Sequence, residues 1–308
     1  MNKLKEIYQK IKKGKFPLKL IEKKNSNHIL VEGNCLDVLR YIPDKSIDLI
    51  ITDPPYNKGL DYGKKFNDRK PWPEYYADMR NILFNIPRIL SEKGSFYLIS
   101  YPEINARLLP FLEEELGLNY RRWITWHYPT NIGHSYKNFT RSQRSILFFT
   151  KQKDGYIFNR DPYLIQSYKN PTAPVIKERV KNGSKGRTSY DTLKLTDLYE
   201  LNKLAADVQE IDLLKNNSPE RLRNLGSKFT SFDYNIDKLK KVDHPCQLPL
   251  SLLGLLINVS SKKGSIVLDP FAGTFTTSAA SVRLGRNSIG IDSNKKFISF
   301  GLKRINYA

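Results

Sequence analysis

Short runs of β-branched and aromatic residues recur along the 308-residue chain and stand out from the polar sequence around them. Runs of this length, bounded by turn-forming residues, predict buried strands. Typical examples are HILVEG at the start of the series and NSIGID at its end. Seven strands are predicted in all, at 28–33, 47–52, 94–100, 123–128, 145–150, 265–270 and 287–292.

Amphipathic or apolar stretches of helical length separate many of these strands. WPEYYADMRNILFNIPRIL at 72–90 predicts a helix with a kink near Pro87, because proline lacks a backbone donor. TTSAASVRLG at 276–285 predicts a helix that ends on Gly285 at a C-cap position. Further helices are predicted at 102–116 and 249–260. Alternating strands and helices indicate an α/β fold with a doubly wound, seven-stranded, mainly parallel sheet.

Residues 151–243 interrupt this alternation. The turn-rich segments KNGSKGRTS and KNNSPE lie there, around a predicted helix at 195–215. We interpret 151–243 as an insertion beside the sheet domain. The remaining segments are 1–27, 28–150 and 244–308.

Charge narrows the choice of partner. The formal net charge is +20, which favours a polyanion, and nucleic acid before a membrane surface. Residues 1–30 hold nine Lys and two Glu, so they predict a basic N-terminal arm at 1–27. No acidic residue lies between Glu115 and Asp154, where basic and aromatic residues alternate. That composition suits phosphate contacts and base stacking, so for this stretch we favour nucleic-acid contact over a solvated basic face with the aromatics in the core.

The sequence also limits the compartment and the chemistry. No run of about 18 apolar residues is found, so no membrane-spanning helix is expected. The lysine-rich N-terminus has no apolar core of a secretory signal. The two cysteines, Cys35 and Cys246, form neither a disulfide framework nor a zinc-binding pair, so no metal site is expected. A reducing cytoplasm is the expected location.

The first predicted strand end with chemical character is Asp53-Pro54-Pro55-Tyr56, directly after IDLIIT. Open α/β sheets bind ligands beyond the carboxyl ends of their strands. The two prolines stiffen the turn and leave backbone carbonyls free to accept hydrogen bonds. Asp53 adds another acceptor and Tyr56 adds a planar face. These groups predict a flat ligand with N–H donors, such as the exocyclic amine of a nucleobase.

The second such strand end is Asp269-Pro270-Phe271, followed by a loop with Gly273 and then a helix. Asp292 ends the next strand, 23 positions after Asp269. An acidic residue at about this distance beyond a glycine loop commonly binds ribose hydroxyls. The loop has too few glycines for a pyrophosphate site, so it predicts a nucleoside without phosphates. The two strand ends together predict a nucleoside cofactor that meets an amine-bearing base.

With these motifs the chain resembles the amino-methylating DNA methyltransferases that depend on S-adenosylmethionine. DPPY at 53–56 is similar to the catalytic tetrad of that family, and LDPFAGT at 268–274 to its cofactor loop. HPCQLP at 244–249 resembles the family element HPTQKP. The order tetrad, insertion, cofactor loop is similar to the β subgroup. The resemblance covers about 28–150 and 244–300.

The resemblance implies a Rossmann-like methyltransferase fold, in which 28–150 is the catalytic half, 151–243 the target-recognition insertion and 244–308 the cofactor-binding half. It implies S-adenosylmethionine as cofactor and double-stranded DNA as substrate. The resemblance is also compatible with two further partners, a cognate restriction endonuclease and a second copy of the chain in a homodimer. The implied catalytic residues are Asp53, Pro54, Pro55 and Tyr56. The implied cofactor residues are Asn34, Cys35, Asp53, His244, Gln247, Pro249, Asp269, Phe271, Gly273, Thr274 and Asp292. The candidate DNA contacts are Lys137, Arg141, Arg144, Lys185 and Arg187.

Three departures from the family pattern bear on the site. Phe275 stands where the family usually has glycine, which predicts less space near the cofactor and a restricted φ. Cys246 and Leu248 replace the usual threonine and lysine. Asn34 stands for an aspartate, and its amide oxygen can still accept a hydrogen bond from the adenine amine of the cofactor.

The implied mechanism is direct methyl transfer to a flipped-out base. Asp53 and the Pro54 carbonyl accept the two amine hydrogens, and Tyr56 stacks on the base. Aspartate at the first tetrad position is typical of adenine-N6 enzymes, whereas cytosine-N4 enzymes more often begin with serine. An RNA or protein methyltransferase and a non-catalytic DNA-binding module of the same fold are less favoured hypotheses.

Overall fold

A computed structural model describes residues 3–59, 68–127, 137–139, 141–160, 165–166, 172–183, 187–188, 192–194 and 247–308. The strands within these residues are β1 Leu18–Glu22, β2 Asn27–Glu32, β3 Ile47–Thr52, β4 Leu90–Ser100, β5 Asn119–His127, β6 Gln143–Thr150, β7 Ile165–Gln166, β8 Arg187–Thr188, β9 Thr192–Lys194, β10 Ile266–Asp269 and β11 Asn287–Asp292. The helices are α1 Lys3–Lys13, α2 Cys35–Leu39, α3 Trp72–Leu83, α4 Ile86–Ile89, α5 Pro102–Pro110, α6 Pro174–Lys181, α7 Leu250–Ser260, α8 Thr276–Arg283 and α9 Lys295–Tyr307.

Nine of these strands form one sheet in the order β1-β2-β11-β10-β3-β4-β6-β5-β9. The five strands from β2 to β4 in this order are parallel to one another. β1 joins β2, β6 joins β4 and β5 joins β6 in antiparallel fashion, and β9 joins β5 in parallel. β10 and β3 are adjacent, but the chain crosses from β10 to β11 on one side and from β3 to β4 on the other. Such a change of direction is the switch point at which open α/β sheets bind ligands.

The sheet is buried on both faces. Ile50, Phe96 and Leu98 point into a core cluster with residues of α1 to α5. Leu49 and Ile51, which alternate with them, point into a second cluster with α7. Burial on both faces explains why the central strands read as almost continuous apolar runs. All seven predicted strands form, and the predicted α/β fold with a mainly parallel sheet is confirmed. β1 and β9 extend the sheet from the seven predicted strands to nine.

The N-terminal segment differs from the expected basic arm at 1–27. Residues 3–22 form α1 and the edge strand β1, and the apolar face of α1 is fully buried through Leu4, Ile7 and Ile11. The apolar residues recur at helical spacing, which places the lysines between them on the solvent side. This segment is therefore part of the sheet domain, and its lysines form a solvated face.

The predicted helix at 72–90 is interrupted near Pro87, where the kink was expected, and it ends one residue earlier than predicted. α3 ends at Leu83, α4 is a short turn with Pro87 near its start, and β4 begins at Leu90. The physical reason is Pro87, whose ring would clash with the carbonyl four residues earlier and which has no N–H to donate. The predicted helix at 102–116 is also divided, because α5 ends at Pro110 and a π turn follows over Phe111–Glu115.

The beginning of the expected insertion packs against the sheet domain. Asn159 donates from its side-chain amide to the backbone oxygens of Asn258 and Ser261, each at 2.8 Å. Farther along, β9 adds to the sheet beside β5. The predicted helix at 195–215 lies outside the described residues. No helix among the described residues is long and apolar enough to cross a membrane.

Candidate active site

The carboxyl ends of β3, β10 and β11 meet at one edge of the sheet, and a cleft of about 850 Å³ opens there. A volume of this size is typical of small-molecule sites. The tertiary structure therefore brings together residues that are more than 200 positions apart in the chain. The predicted site residues that line the cleft are Asn34, Cys35, Asp53, Pro55, Tyr56, Gln247, Asp269, Phe271, Gly273, Thr274 and Asp292.

The turn after β3 is held from two sides. The Tyr56 hydroxyl donates a short hydrogen bond to Oδ1 of Asp53. The hydroxyl of Tyr75, on α3, donates to the Pro55 carbonyl at 2.8 Å. Pro54, between them, is buried. Since proline also fixes φ, the turn has little freedom to move.

Asn57 closes this turn, and the sequence predictions do not include it. Its backbone is left-handed, with φ at 59°. Its side-chain amide donates to the Lys70 carbonyl at 2.9 Å, and its side-chain oxygen accepts from the Lys70 N–H at 2.6 Å. Asparagine is among the residues that tolerate a left-handed backbone best, and this was the signal available in the sequence.

Tyr56 is buried, with 1% of its surface exposed, rather than open for stacking. Its ring lies 4.7 Å from the ring of Tyr101, centroid to centroid, at an angle of 45°. The guanidinium carbon of Arg144 lies 4.6 Å from the Tyr56 ring centroid. The expected stacking of a flipped base on Tyr56 therefore requires one of these neighbours to move.

The cofactor loop after β10 is held by two carboxylates, of which Asp269 is buried and Asp292 is half-buried. Asp269 accepts hydrogen bonds from the Thr277 hydroxyl at 2.6 Å and from the Phe271 N–H at 3.1 Å. Asp292 accepts from the backbone N–H of Gly273 at 2.9 Å and of Asn294 at 2.7 Å. The end of β11 is thereby tied to the loop after β10.

Desolvation raises the pKa of all three site carboxyls. It brings the pKa of Asp53 to about 6, although the Arg144 charge and the Tyr56 hydroxyl act in the opposite direction. The pKa of Asp269 rises to about 7, with a further contribution from the nearby Asp53 and Asp292. The pKa of Asp292 rises to about 6. A cluster of partly desolvated carboxylates of this kind favours a cationic ligand.

The predicted residues at the other end of the cleft have structural partners. The side-chain oxygen of Asn34 caps α2 by accepting from the Leu36 N–H at 2.9 Å. Burial raises the pKa of the Cys35 thiol to about 12, so it stays protonated. Gln247 is buried in the cleft wall, and Pro249 directly precedes α7. His244 and Cys246 lie outside the described residues.

A family model described as DNA methylase, named for N6- and N4-directed enzymes, matches residues 47–303. The chain belongs to this DNA methylase family. The matched range contains both strand ends that form the cleft. The protein is thus an S-adenosylmethionine-dependent DNA methyltransferase, as the resemblance in the sequence implies.

Curated relatives agree with this assignment, and solved structures agree with the fold. The chain is 29% identical over 276 residues to the Type II methyltransferase M.HpaI of Haemophilus parainfluenzae, covering 90% of this chain and 73% of the relative. It is 29% identical over 289 residues to the DNA adenine methyltransferase YhdJ of Escherichia coli K12, covering 92% and 84%. The fold is similar to that of the cytosine-N4-specific PvuII DNA methyltransferase, with a TM-score of 0.61 at 17% identity over 91% of this chain and 86% of that one. It is also similar to the M1.HpyAVI–SAM complex, with a TM-score of 0.56 at 18% identity over 90% and 98%.

The cleft of this methyltransferase fits S-adenosylmethionine by its donor chemistry. That cofactor is a nucleoside with a sulfonium and an ammonium group and without phosphates. The three carboxylates with raised pKa complement the two positive charges, and the apolar part of the lining suits the adenine ring. No cluster of metal-ligating side chains occurs in the part of the chain that the structure describes.

The expectation that Phe275 narrows the cofactor site is wrong. Its side chain is fully buried in a cluster with Leu30, Ile298 and Ile305. Its backbone is left-handed, with φ at 60° and ψ at 33°. The ring occupies the space that side chains at Gly290 and Gly301 would fill, because a Cβ at either position would lie about 2.5 Å or less from it. The expected restriction of φ is therefore real, but the aromatic ring serves the core.

Arg304 contacts the cofactor loop, and the sequence predictions do not include it. It extends from α9, is 2% exposed, and donates to the Thr274 carbonyl at 3.1 Å. The same nitrogen lies 2.9 Å from the Thr274 hydroxyl and 2.8 Å from the Thr276 hydroxyl. Thr274 itself is thereby turned toward α9. The only signal in the sequence was an arginine within an otherwise apolar stripe of the last helix.

The candidate DNA contacts are in different environments. Lys137 is exposed. Arg141 forms two hydrogen bonds to the Glu103 carboxylate, at 3.0 Å and 2.6 Å, and lies 3.9 Å over the Tyr101 ring. Arg144 is 9% exposed, and its guanidinium lies on the ring of Tyr56 rather than on the surface. The backbone of Arg187 forms part of β8, and Lys185 lies outside the described residues.

Proposed function

We propose that this methyltransferase acts on the exocyclic N6 of adenine in a flipped-out base of duplex DNA, at a specific sequence. The observation that carries the proposal is an aspartate at the head of the rigid turn, in the cleft that also holds the cofactor carboxylates. Aspartate at this position is typical of adenine-specific relatives, and the DNA adenine methyltransferase YhdJ is similar over most of its length.

In this proposal the turn acts by accepting hydrogen bonds. The Asp53 carboxylate and the Pro54 carbonyl accept the two amine hydrogens, which favours a pyramidal nitrogen with its lone pair available. Asp53 suits this role above pH 7, because a carboxyl with a pKa of about 6 is then mostly ionised. Tyr75 and Asn57 keep the turn in place, so the acceptors are oriented before the base arrives.

The cofactor residues divide along the cleft. Asp292 binds the ribose hydroxyls, and Asp269, Phe271 and Gly273 lie along the methionine part, with Thr274 beside them. Asn34 and Cys35 lie near the adenine, and Gln247 forms part of the cleft wall. His244 and Pro249 are proposed as further cofactor residues from the family resemblance. When bound, S-adenosylmethionine supplies an electrophilic methyl group.

Digestion of methylated DNA to nucleosides tests the proposal. The purified protein is incubated with plasmid DNA and isotopically labelled S-adenosylmethionine, and the nucleosides are separated by mass spectrometry. Labelled N6-methyladenine is expected. N4-methylcytosine without N6-methyladenine would assign the enzyme to the cytosine class, and label in RNA or protein but not in DNA would reject the DNA substrate.

Replacement of the catalytic aspartate tests the mechanism. Asp53→Ala is expected to lower the rate of methylation by roughly 10²–10³-fold, as the loss of one preorganised polar group typically does. Calorimetry should show that S-adenosylmethionine and DNA still bind. Retention of most of the activity would contradict the proposed role of Asp53.

The family resemblance and the curated relatives also support proposals about the insertion and about the partners of the enzyme. Residues 151–243 are the target-recognition insertion, in line with the β-subgroup order of the motifs. Several relatives are Type II methyltransferases, which supports a place in a restriction–modification system with a cognate endonuclease. A homodimer and a cytoplasmic location complete the proposal.

A further inference from the structure

Arg144 reaches the active site because of the topology of the sheet. β6 is antiparallel to β4, so its first residues lie at the edge where β3 and β4 have their carboxyl ends. Ser145 lies opposite Ser100 of β4, and Arg144 lies opposite Trp126 of β5. Its side chain thus reaches the Tyr56 ring in the turn after β3.

Three aromatic rings surround the guanidinium. It lies 4.6 Å from the Tyr56 ring centroid, and 5.7 Å from the centroids of both Tyr101 and Trp126. A delocalised guanidinium is suited to such a place, since it is weakly hydrated and is attracted to aromatic faces. The side chain is 9% exposed, so it would have to leave these rings to contact a phosphate.

The positive charge acts on Asp53 in two ways. The guanidinium lies on the ring of Tyr56, whose hydroxyl donates to the Asp53 carboxylate. It also lowers the pKa of Asp53 directly, against the effect of desolvation. The other titratable groups that face Asp53 are Tyr75 on α3 and Asp269 at the end of β10.

We propose that Arg144 is a positioning residue for methyl transfer, which holds the Tyr56 ring and the Asp53 carboxylate in the geometry that accepts the amine. The inference rests on the proposed role of Asp53. It replaces the DNA contact expected for Arg144 from the sequence. Methyl transfer should therefore depend on the charge at position 144 more strongly than DNA affinity does.

The pH dependence of the turnover number tests this proposal with Arg144→Met and Arg144→Lys. Arg144→Met is expected to lower kcat at pH 7 by about tenfold or more and to move the acid limb upward by about one pH unit, because an opposite charge nearby lowers a carboxyl pKa by about 1–3 units. Arg144→Lys keeps the charge, so its acid limb should stay close to that of the wild type, with partial recovery of kcat.

Arg121→Met is the matched control. Arg121 also stacks on a tyrosine, at 4.4 Å from the Tyr156 ring centroid, but at the opposite end of β5. Its replacement should leave the acid limb unchanged. An unshifted acid limb in folded Arg144→Met, or equal defects in the Met and Lys variants, would overturn the proposal. Should Arg144→Met fail to fold, Arg144→Gln carries the same comparison with Arg144→Lys.

Thermal unfolding without substrate separates this inference from the proposed function. Below pH 6 Asp53 is mostly protonated, so Arg144→Met should lower Tm less at pH 5 than at pH 8. In an Asp53→Asn background this pH-dependent difference should vanish. If the difference persists there, Arg144 interacts with a titrating group other than Asp53, and the proposal is overturned. If Asp53→Ala still methylates DNA, but the Tm effect of Arg144→Met in the otherwise unchanged protein depends on pH as expected, then the catalytic role of Asp53 is rejected and its interaction with Arg144 is retained.

Discussion

At the scale of single residues, the cleft and the core beside it contain two unfavourable features. One is the desolvation of three carboxyl groups, and the other is a left-handed backbone at a non-glycine residue. Asp53, Asp269 and Asp292 all have a raised pKa because they are desolvated. Phe275 adopts a left-handed backbone that glycine would adopt more easily. Each of these features has a local cost, and each is held by packing or by hydrogen bonds from elsewhere in the chain.

Phe275 gives a prediction that separates backbone strain from packing. Phe275→Ala should lower the free energy of unfolding by about 3–5 kcal/mol, because it empties a fully buried position. Phe275→Gly also empties it but relieves the left-handed backbone, so it should be more stable than Phe275→Ala by about 1 kcal/mol. Denaturant unfolding with cofactor-free protein measures both values. Equal stability of the two variants would show that φ at this position is not strained.

At the scale of elements, the last helix supports the cofactor loop. α9 approaches the loop closely at Gly301, where the Phe275 ring fits, and at Arg304, which bonds to Thr274. β11 is tied to the same loop through Asp292. The loop is short of glycines, but its shape is fixed by these neighbouring elements rather than by its own sequence.

Arg304 should therefore affect cofactor binding from a distance. Arg304→Met leaves the Thr274 carbonyl and two hydroxyls without this donor, so the affinity for S-adenosylmethionine should fall by about tenfold, in the range seen for partners that orient a binding group. Lys303→Met, the exposed neighbour on α9, is the control and should bind normally. Calorimetry measures both, with a melting curve to confirm that each variant is folded. Unchanged affinity in folded Arg304→Met would contradict the supporting role of α9.

At the scale of the whole molecule, the switch point places two separate chain segments in one electrostatic environment. Asp53 lies in the first half of the chain, and Asp269 and Asp292 lie in the last part. They influence one another, because Asp53 and Asp292 both raise the pKa of Asp269. The cleft therefore responds to pH as a unit.

Binding of S-adenosylmethionine should strengthen as pH rises from about 5.5 to 7.5. The folded pKa values of about 6 to 7 lie above the ordinary value of 3.8, so these carboxyls are largely protonated at the lower pH and ionised at the higher one. A cationic ligand prefers the ionised form, and an affinity gain of about tenfold is expected. Calorimetry across this pH range is the measurement. S-adenosylhomocysteine lacks the sulfonium charge and should show a smaller gain. Equal pH dependence for both ligands would contradict the assignment.

The sequence by itself determined the strands, the two chemical strand ends and the family. Continuous apolar runs give strands buried on both faces, and DPPY and LDPFAGT mark the ligand edge of such a sheet. Tertiary structure alone decided which side chains point into the cleft. Arg144 reaches the Tyr56 ring because β6 is antiparallel to β4. Phe275 points away from the cleft because Gly290 and Gly301 leave space for its ring in the core. Arg304 reaches the loop from the last helix. These contacts join residues far apart in the chain, so no local sequence pattern predicts them.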